Sequence, residues 1–298
     1  MIQFVFEVFI GGLLSGVMYS LVALGFVLIY KASGVFNFAQ GSLVFFAALT
    51  FVGLTEHGLS FATALLVTLA VMVAVGLLIE RLVLRPLVNQ PQISLFMATI
   101  GLSFFIEGLA QLLWGANVRG LELGIQDEPI KWLSDTAGIN VSKFDLVAAG
   151  IAAVLVAGLG LFFSRTRIGR ALRAVADDHQ AALAVGIPLQ QIWGIVWAVA
   201  GFVALVAGML WGARNGVQFA LTFVALKALP VLILGGFESI PGAIVGGLII
   251  GATEKLAEVF LGPHVGGGIE GWFPYVLALL FLLVRPEGLF GEKIIRRI

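Results

Sequence analysis

Eight long apolar windows alternate with short polar breaks, near residues 8–30, 35–54, 61–80, 93–114, 144–164, 192–213, 240–260 and 270–285. Each approaches the roughly 20 residues that a helix needs to cross about 30 Å of hydrocarbon, so each predicts a membrane span. A ninth window near 220–236 is short and interrupted by Pro230 and Gly235-Gly236, which sets the expectation at eight to nine crossings. The expected fold is all-α, a polytopic transmembrane helical bundle forming a single domain over 1–298. No Lys or Arg precedes the first apolar run, which continues to Tyr30, so it predicts a retained span rather than a cleavable signal peptide.

The longest polar, helix-forming interruption is Arg165 to Pro188, RTRIGRALRAVADDHQAALAVGIP. Ile168, Leu172 and Val175 fall at spacings of four and three and make one apolar stripe, with Arg170, Arg173 and Asp177 on another face. Asp177 suits an N-cap, and Gln180 stands three residues on, as in a capping box. Ala181, Ala182, Leu183 and Ala184 propagate a second helix, Gly186 can take a left-handed C′ position, and Pro188 forbids continuation. That helix is about two turns, roughly 12 Å, too short to be stable alone in water, so it is expected to lean on something.

Charge sets the orientation. With 165–188 cytoplasmic, the inside set is Lys31, Arg81, Arg85, Arg165, Arg167, Arg170, Arg173, Arg285, Lys293, Arg296 and Arg297; the outside set is Arg119, Lys131, Lys143, Arg214 and Lys227. Eleven against five places the N-terminus outside and the C-terminus in the cytoplasm, and makes 115–143 the large external loop. Composition agrees with a membrane protein: 60% of residues are hydrophobic, 11% are charged, and the mean hydropathy is +1.08. A net charge of zero offers no nucleic-acid surface, and the absence of cysteine excludes disulfides and thiolate metal sites.

Within the spans, Gly12–Gly16, Gly242–Gly246 and Gly247–Gly251 are each spaced by four, the pattern of close helix contacts in lipid. Phe36 to Val44 and Phe237 to Val245 match at Phe, Gly and Val, and each opens a span after a glycine-containing break. Paired interruptions of this kind build midplane sites in transporters with internal repeats, which points to Gly41 and Gly242. Asn37 and Gln40 share a helix face and could bind substrate or bridge to a neighbouring helix. Glu107 and Glu254 are candidates for the translocation path because an ionisable group inside a span is costly, or for pairing near the outer interface. Glu254 precedes Lys255, but adjacent residues diverge by about 100° on a helix and need not pair. No Gly-Lys dipeptide, HExxH or GxSxG occurs, and His57, His179 and His264 are scattered, so a nucleotide loop, a hydrolase and a metal site all lack a motif. The chain is not expected to be an enzyme.

The segments GGLLSGVMYSLVALGFVLIYKASGVFNFAQGS at 11–42, GRALRAVADDHQAALAVGI at 169–187, GGFESIPGAIVGGLIIG at 235–251 and VRPEGLFG at 284–291 resemble the H-type permease subunits of branched-chain amino acid ABC importers. The resemblance implies that 169–187 is a degenerate form of the loop docking into an ATPase cleft, through Asp177, Asp178, Ala181, Ala182 and Gly186, with Arg173 in the same coupling segment, 165–188. It also implies a second related permease, two ATP-binding subunits that hold ATP-Mg, and an external solute-binding protein, in the inner membrane of a bacterial cell. This chain would then bind no cofactor of its own, touching only membrane lipid and a small-molecule substrate. The substrate would be leucine, isoleucine or valine, with urea, amides or aromatic acids as alternatives. An ion-coupled secondary transporter using Glu107 or Glu254 is the rival reading.

Overall fold

The computed structural model describes residues 2–87, 90–177 and 179–291. Thirteen helices follow in order among them: α1 (Ile2–Ser33), α2 (Gln40–Glu56), α3 (Phe61–Ile79), α4 (Gln92–Trp114), α5 (Lys131–Ala137), α6 (Lys143–Arg165), α7 (Arg167–Asp177), α8 (His179–Ala184), α9 (Leu189–Asn215), α10 (Val224–Gly235), α11 (Ile240–Phe260), α12 (Gly262–Val265) and α13 (Phe273–Val284). The described residues hold no strand, only the isolated bridges Arg119–Val217 and Pro129–Ser142.

Among the described residues, five elements are long and apolar enough to cross a membrane: α1, α3 with the irregular turns that prolong it to Leu87, α4, α6 and α9. The windows expected at 220–236 and 240–260 are two arms of one element, Phe219–Gly235 and Ile240–Phe260, bent by 113° at a short break. Pro230 lies inside α10, and Gly236, at φ +104°, opens the break in a conformation that favours glycine. Helices α2 and α13 are apolar but shorter. In α1 and α9 most of the apolar window is buried, 83% and 67%, whereas in α3, α4 and α6 it is 28%. Leu66, Phe104, Phe105, Leu112, Val154 and Leu161 are exposed on those three helices. Apolar faces of this extent are stable only against lipid or a partner subunit, which makes this a multi-pass membrane protein.

The chain forms two compact units: Met1–Ala23 with Gly124–Gly158 and Leu226–Ile298, and Leu24–Leu123 with Leu159–Ala225. In the first unit, glycine lets α1 and α11 cross backbone to backbone. A Cβ on Gly12 would stand 2.6 Å from the Gly251 carbonyl oxygen, and one on Gly247 would stand 2.5 Å from that of Gly16. The four-residue spacings thus serve close helix contact. Ser239 caps α11, its Oγ accepting from Gly242 N at 3.0 Å.

In the second unit, α9 packs against both α2 and α3. A Cβ on Gly76 would lie 2.6 Å from the Trp197 carbonyl oxygen, and one on Gly201 2.8 Å from that of Met72. Beyond Ile79 the helix loosens into a π-helical turn, Glu80–Leu84. Arg85 closes it by donating from Nε and Nη2 to the two oxygens of buried Glu80, at 3.1 and 2.9 Å.

Candidate functional site

The polar segment folds as two short helices. Thr166 starts α7, its Oγ1 accepting from Gly169 N at 3.2 Å. Of the expected stripe, Leu172 and Val175 are buried and Ile168 is half-buried. Arg173 Nη1 donates to the Phe163 carbonyl at 2.8 Å, so this candidate braces the otherwise open C-terminal carbonyls of α6. At the end of α8, Ile187 N bonds Ala182 O at 2.9 Å and Gly186 N bonds Leu183 O at 3.0 Å, with Gly186 at φ +83°. That is the Schellman pattern which Gly186 and Pro188 predict.

Two expectations shift. Asp177 is the last residue of α7, and α8 begins at His179, so Asp177 is helical rather than the N-cap that its sequence setting suggests. Asp178 itself lies outside the described residues, as do Lys293, Arg296 and Arg297 of the orientation count. Ala182 points inward at 2% exposure, whereas Leu183 is 54% and Val185 75% exposed. The outward residues of α8 and its closing turn are therefore Ala181, Leu183, Ala184, Val185 and Gly186. A run of three alanines around one leucine has no periodicity that distinguishes its faces, so the sequence does not mark Leu183 and Val185 as surface residues.

The intramembrane candidates separate into packing groups and polar clusters. Asn37 and Gln40 are fully buried and bond each other, Asn37 Nδ2 donating to Gln40 Oε1 at 3.4 Å. Asn37 Oδ1 also accepts from Ala39 N at 3.1 Å, shaping the turn into α2. Gln40 Nε2 has no partner and lies over Gly25. Gly41 sits against Thr222 and Ala225, and Gly242 against Gly235 at the bend, so both are close-approach positions.

Glu254 is a buried ion-pair anchor in the first unit. Its Oε1 accepts from Lys227 Nζ at 3.2 Å and Tyr19 Oη at 3.1 Å, while Oε2 has no partner. Lys255 turns away, as adjacent residues on a helix should, and pairs with Glu270 at 3.1 Å. Glu258 closes the following loop, accepting from Gly268 N at 2.9 Å and Glu270 N at 2.8 Å. Lys227 falls in the interrupted apolar window and reads from sequence as a loop cation, which hides it as Glu254's partner.

Glu107 has a different setting in the second unit. Its Oε1 accepts from Ser42 Oγ at 2.7 Å and Ser103 Oγ at 3.2 Å, and the two hydroxyls are 2.7 Å apart. It is half-buried, with no cation beside it among the described residues. The sequence reading does not single out the serines, although Thr99, Ser103, Glu107 and Gln111 recur every four residues, a spacing that stripes one helix face. Among the described residues, no three His, Asp or Glu side chains come together as metal ligands.

One family signature runs through the glycine crossings, the bent pair and the arginine-rich amphipathic segment. Residues 8–285 match the family described as branched-chain amino acid transport system / permease component. The chain belongs to that family. Among relatives, a high-affinity branched-chain amino acid transport system permease protein, BraD of Pseudomonas aeruginosa, is 30% identical over 97% of this chain and 96% of its own length. LivH of Salmonella typhimurium, described in the same words, is 28% identical over 96% of each. A more distant relative is the fructose import permease protein FruF of Bifidobacterium longum, 26% identical over 90% of this chain and 75% of its own. As a permease component, this chain is one part of a multi-subunit transport system.

Proposed function

We propose that this permease forms half of the translocation path of an ATP-driven importer for branched-chain or related hydrophobic amino acids. Hydrolysis of ATP-Mg occurs in two separate ATP-binding subunits, a second related permease completes the path, and an external solute-binding protein delivers substrate. The chain sits in a bacterial inner membrane with its N-terminus outside and C-terminus inside, 115–143 external and 165–188 cytoplasmic. It is a passive gate, holds no cofactor and catalyses nothing itself.

The observation that carries this reading is α8. A two-turn helix closed by a Schellman turn holds Leu183 and Val185 outward, at 54% and 75% exposure, in a segment otherwise rich in arginine. Two apolar side chains presented on so short and well-terminated a helix suit a groove on a partner. The contact face is accordingly Ala181, Leu183, Ala184, Val185 and Gly186, with Arg173 and Ala182 holding the element in place. Val185→Arg is expected to weaken co-purification of the ATP-binding subunits by about tenfold or more while the permease stays monodisperse. Ala182→Arg should instead reduce folded protein, because its side chain has no room. Undiminished association and ATP-driven leucine uptake in the Val185→Arg complex would place the contact elsewhere.

A further inference from the structure

We propose that the second unit contains a solute site of the permease's own, where the C-terminal end of α4 meets the 115–119 and 216–219 loops, taking a zwitterionic amino acid with an apolar side chain. The proposal rests on the transport reading above.

The cavity there has a volume of about 360 Å³, at the lower end of ligand pockets, and Phe45, Phe219, Gln111, Asn117 and Gln218 line it. Its rings are edge to face, with centroids 6.5 Å apart, and give an apolar wall. Its amides are neutral; their N–H groups can donate to a carboxylate and their oxygens can accept from an ammonium. No charged side chain lines it among the described residues, so a ligand with a charged side chain would lose hydration without gaining a partner.

The walls are clamped rather than loose. Arg119 N donates to Val217 O at 3.0 Å and Val217 N to Arg119 O at 2.8 Å, tying the two loops together. The Arg119 guanidinium holds Glu56 and the Trp114 carbonyl as well. Gly115 and Gly216, at φ +85° and +76°, make the turns that admit this geometry.

One turn along α4 from Gln111, about 6 Å on the same stripe, is Glu107. Two other carboxylates at this unit's helix ends have cations, Glu56 with Arg119 and Glu80 with Arg85. Glu107 has the Ser42 and Ser103 hydroxyls instead and does not line the cavity. The stripe continues to buried Thr99, which accepts from Phe38 N at 3.3 Å at the break before α2. A polar ladder thus leads from the cavity along the apolar helix.

The test is equilibrium binding of radiolabelled L-leucine to the complete transporter complex in detergent, without ATP or binding protein, alongside ATP-driven leucine uptake in proteoliposomes. Saturable binding is expected, weakened about tenfold by Gln218→Leu and by Asn117→Ala, a loop change that should not disturb folding. Glu107→Gln, outside the cavity, should leave leucine binding unchanged, and 4-methylpentanoate, which lacks the ammonium, should bind more weakly than leucine. Lysine and glutamate should compete poorly. Unaltered leucine binding in the Gln218→Leu and Asn117→Ala variants overturns the site, as does a wild-type complex that takes up leucine without binding it in this assay. A complex that neither binds nor accumulates leucine overturns the substrate reading together with the site.

Discussion

Glu254 and Glu107 are both carboxylates inside apolar windows, and their surroundings give them different work. Glu254, with 2% of its side chain exposed, faces a lysine; Glu107 faces two hydroxyls. Removing one partner of a fully buried ion pair costs about 3–5 kcal/mol, because the survivor is left charged without water. Lys227 keeps 34% of its side chain exposed, so Lys227→Met should cost less, about 1–3 kcal/mol, read as a lowered thermal midpoint in detergent. Lys227→Met with Glu254→Met should recover most of that loss, since an apolar pair leaves no buried charge. A double variant as unstable as the single one would show that Glu254 is held by something other than this pair. The cost of burying a carboxylate is legible in a sequence; its partner, 27 residues away across a bend, is not.

Among the elements, legibility follows how local the determining interaction is. The end of α8 needs only Gly186 and Pro188, and the sequence states both. The start of α8 depends on where the preceding helix stops; Asp177 and Asp178 are equally good caps, and Asp177 is the one that stays helical. The helix crossings are readable because glycine spacing is itself the contact surface, whereas the facing partner, α11 for α1, comes only from the fold. The structure makes that contact specific: α1 and α11 have no space for a side chain where Gly16 faces Gly247. Gly247→Val would force the backbones apart, at a cost of about 1–3 kcal/mol or more for overpacking. Fluorescence-detected size exclusion should show a marked fall in monodisperse permease. Gly150→Val, at a position with open space around it, should leave the yield unchanged and serves as the control.

For the whole molecule, the bent pair decides the topology by parity. Were α2 and α13 to cross as well as the five long helices α1, α3, α4, α6 and α9, seven crossings would lie outside the pair, and an external N-terminus with a cytoplasmic C-terminus would require the pair to add an even number. The pair meets this if its two arms, Phe219–Gly235 and Ile240–Phe260, cross twice or re-enter to the same side; a single broken span would put both termini outside. The 113° bend favours two arms over one rod. The absence of any cysteine makes the question directly measurable, because a single introduced cysteine is then the sole thiol. Glu122→Cys should react with a membrane-impermeant maleimide in intact spheroplasts, and Gln190→Cys and Phe290→Cys only in inside-out vesicles; all three positions are exposed. Labelling of Phe290→Cys from the same side as Glu122→Cys would make the number of crossings even, with either the pair one broken span or α13 not crossing. The arginines of 165–188 would then still mark the inside, but the C-terminal cations would no longer belong to the set that orients the chain.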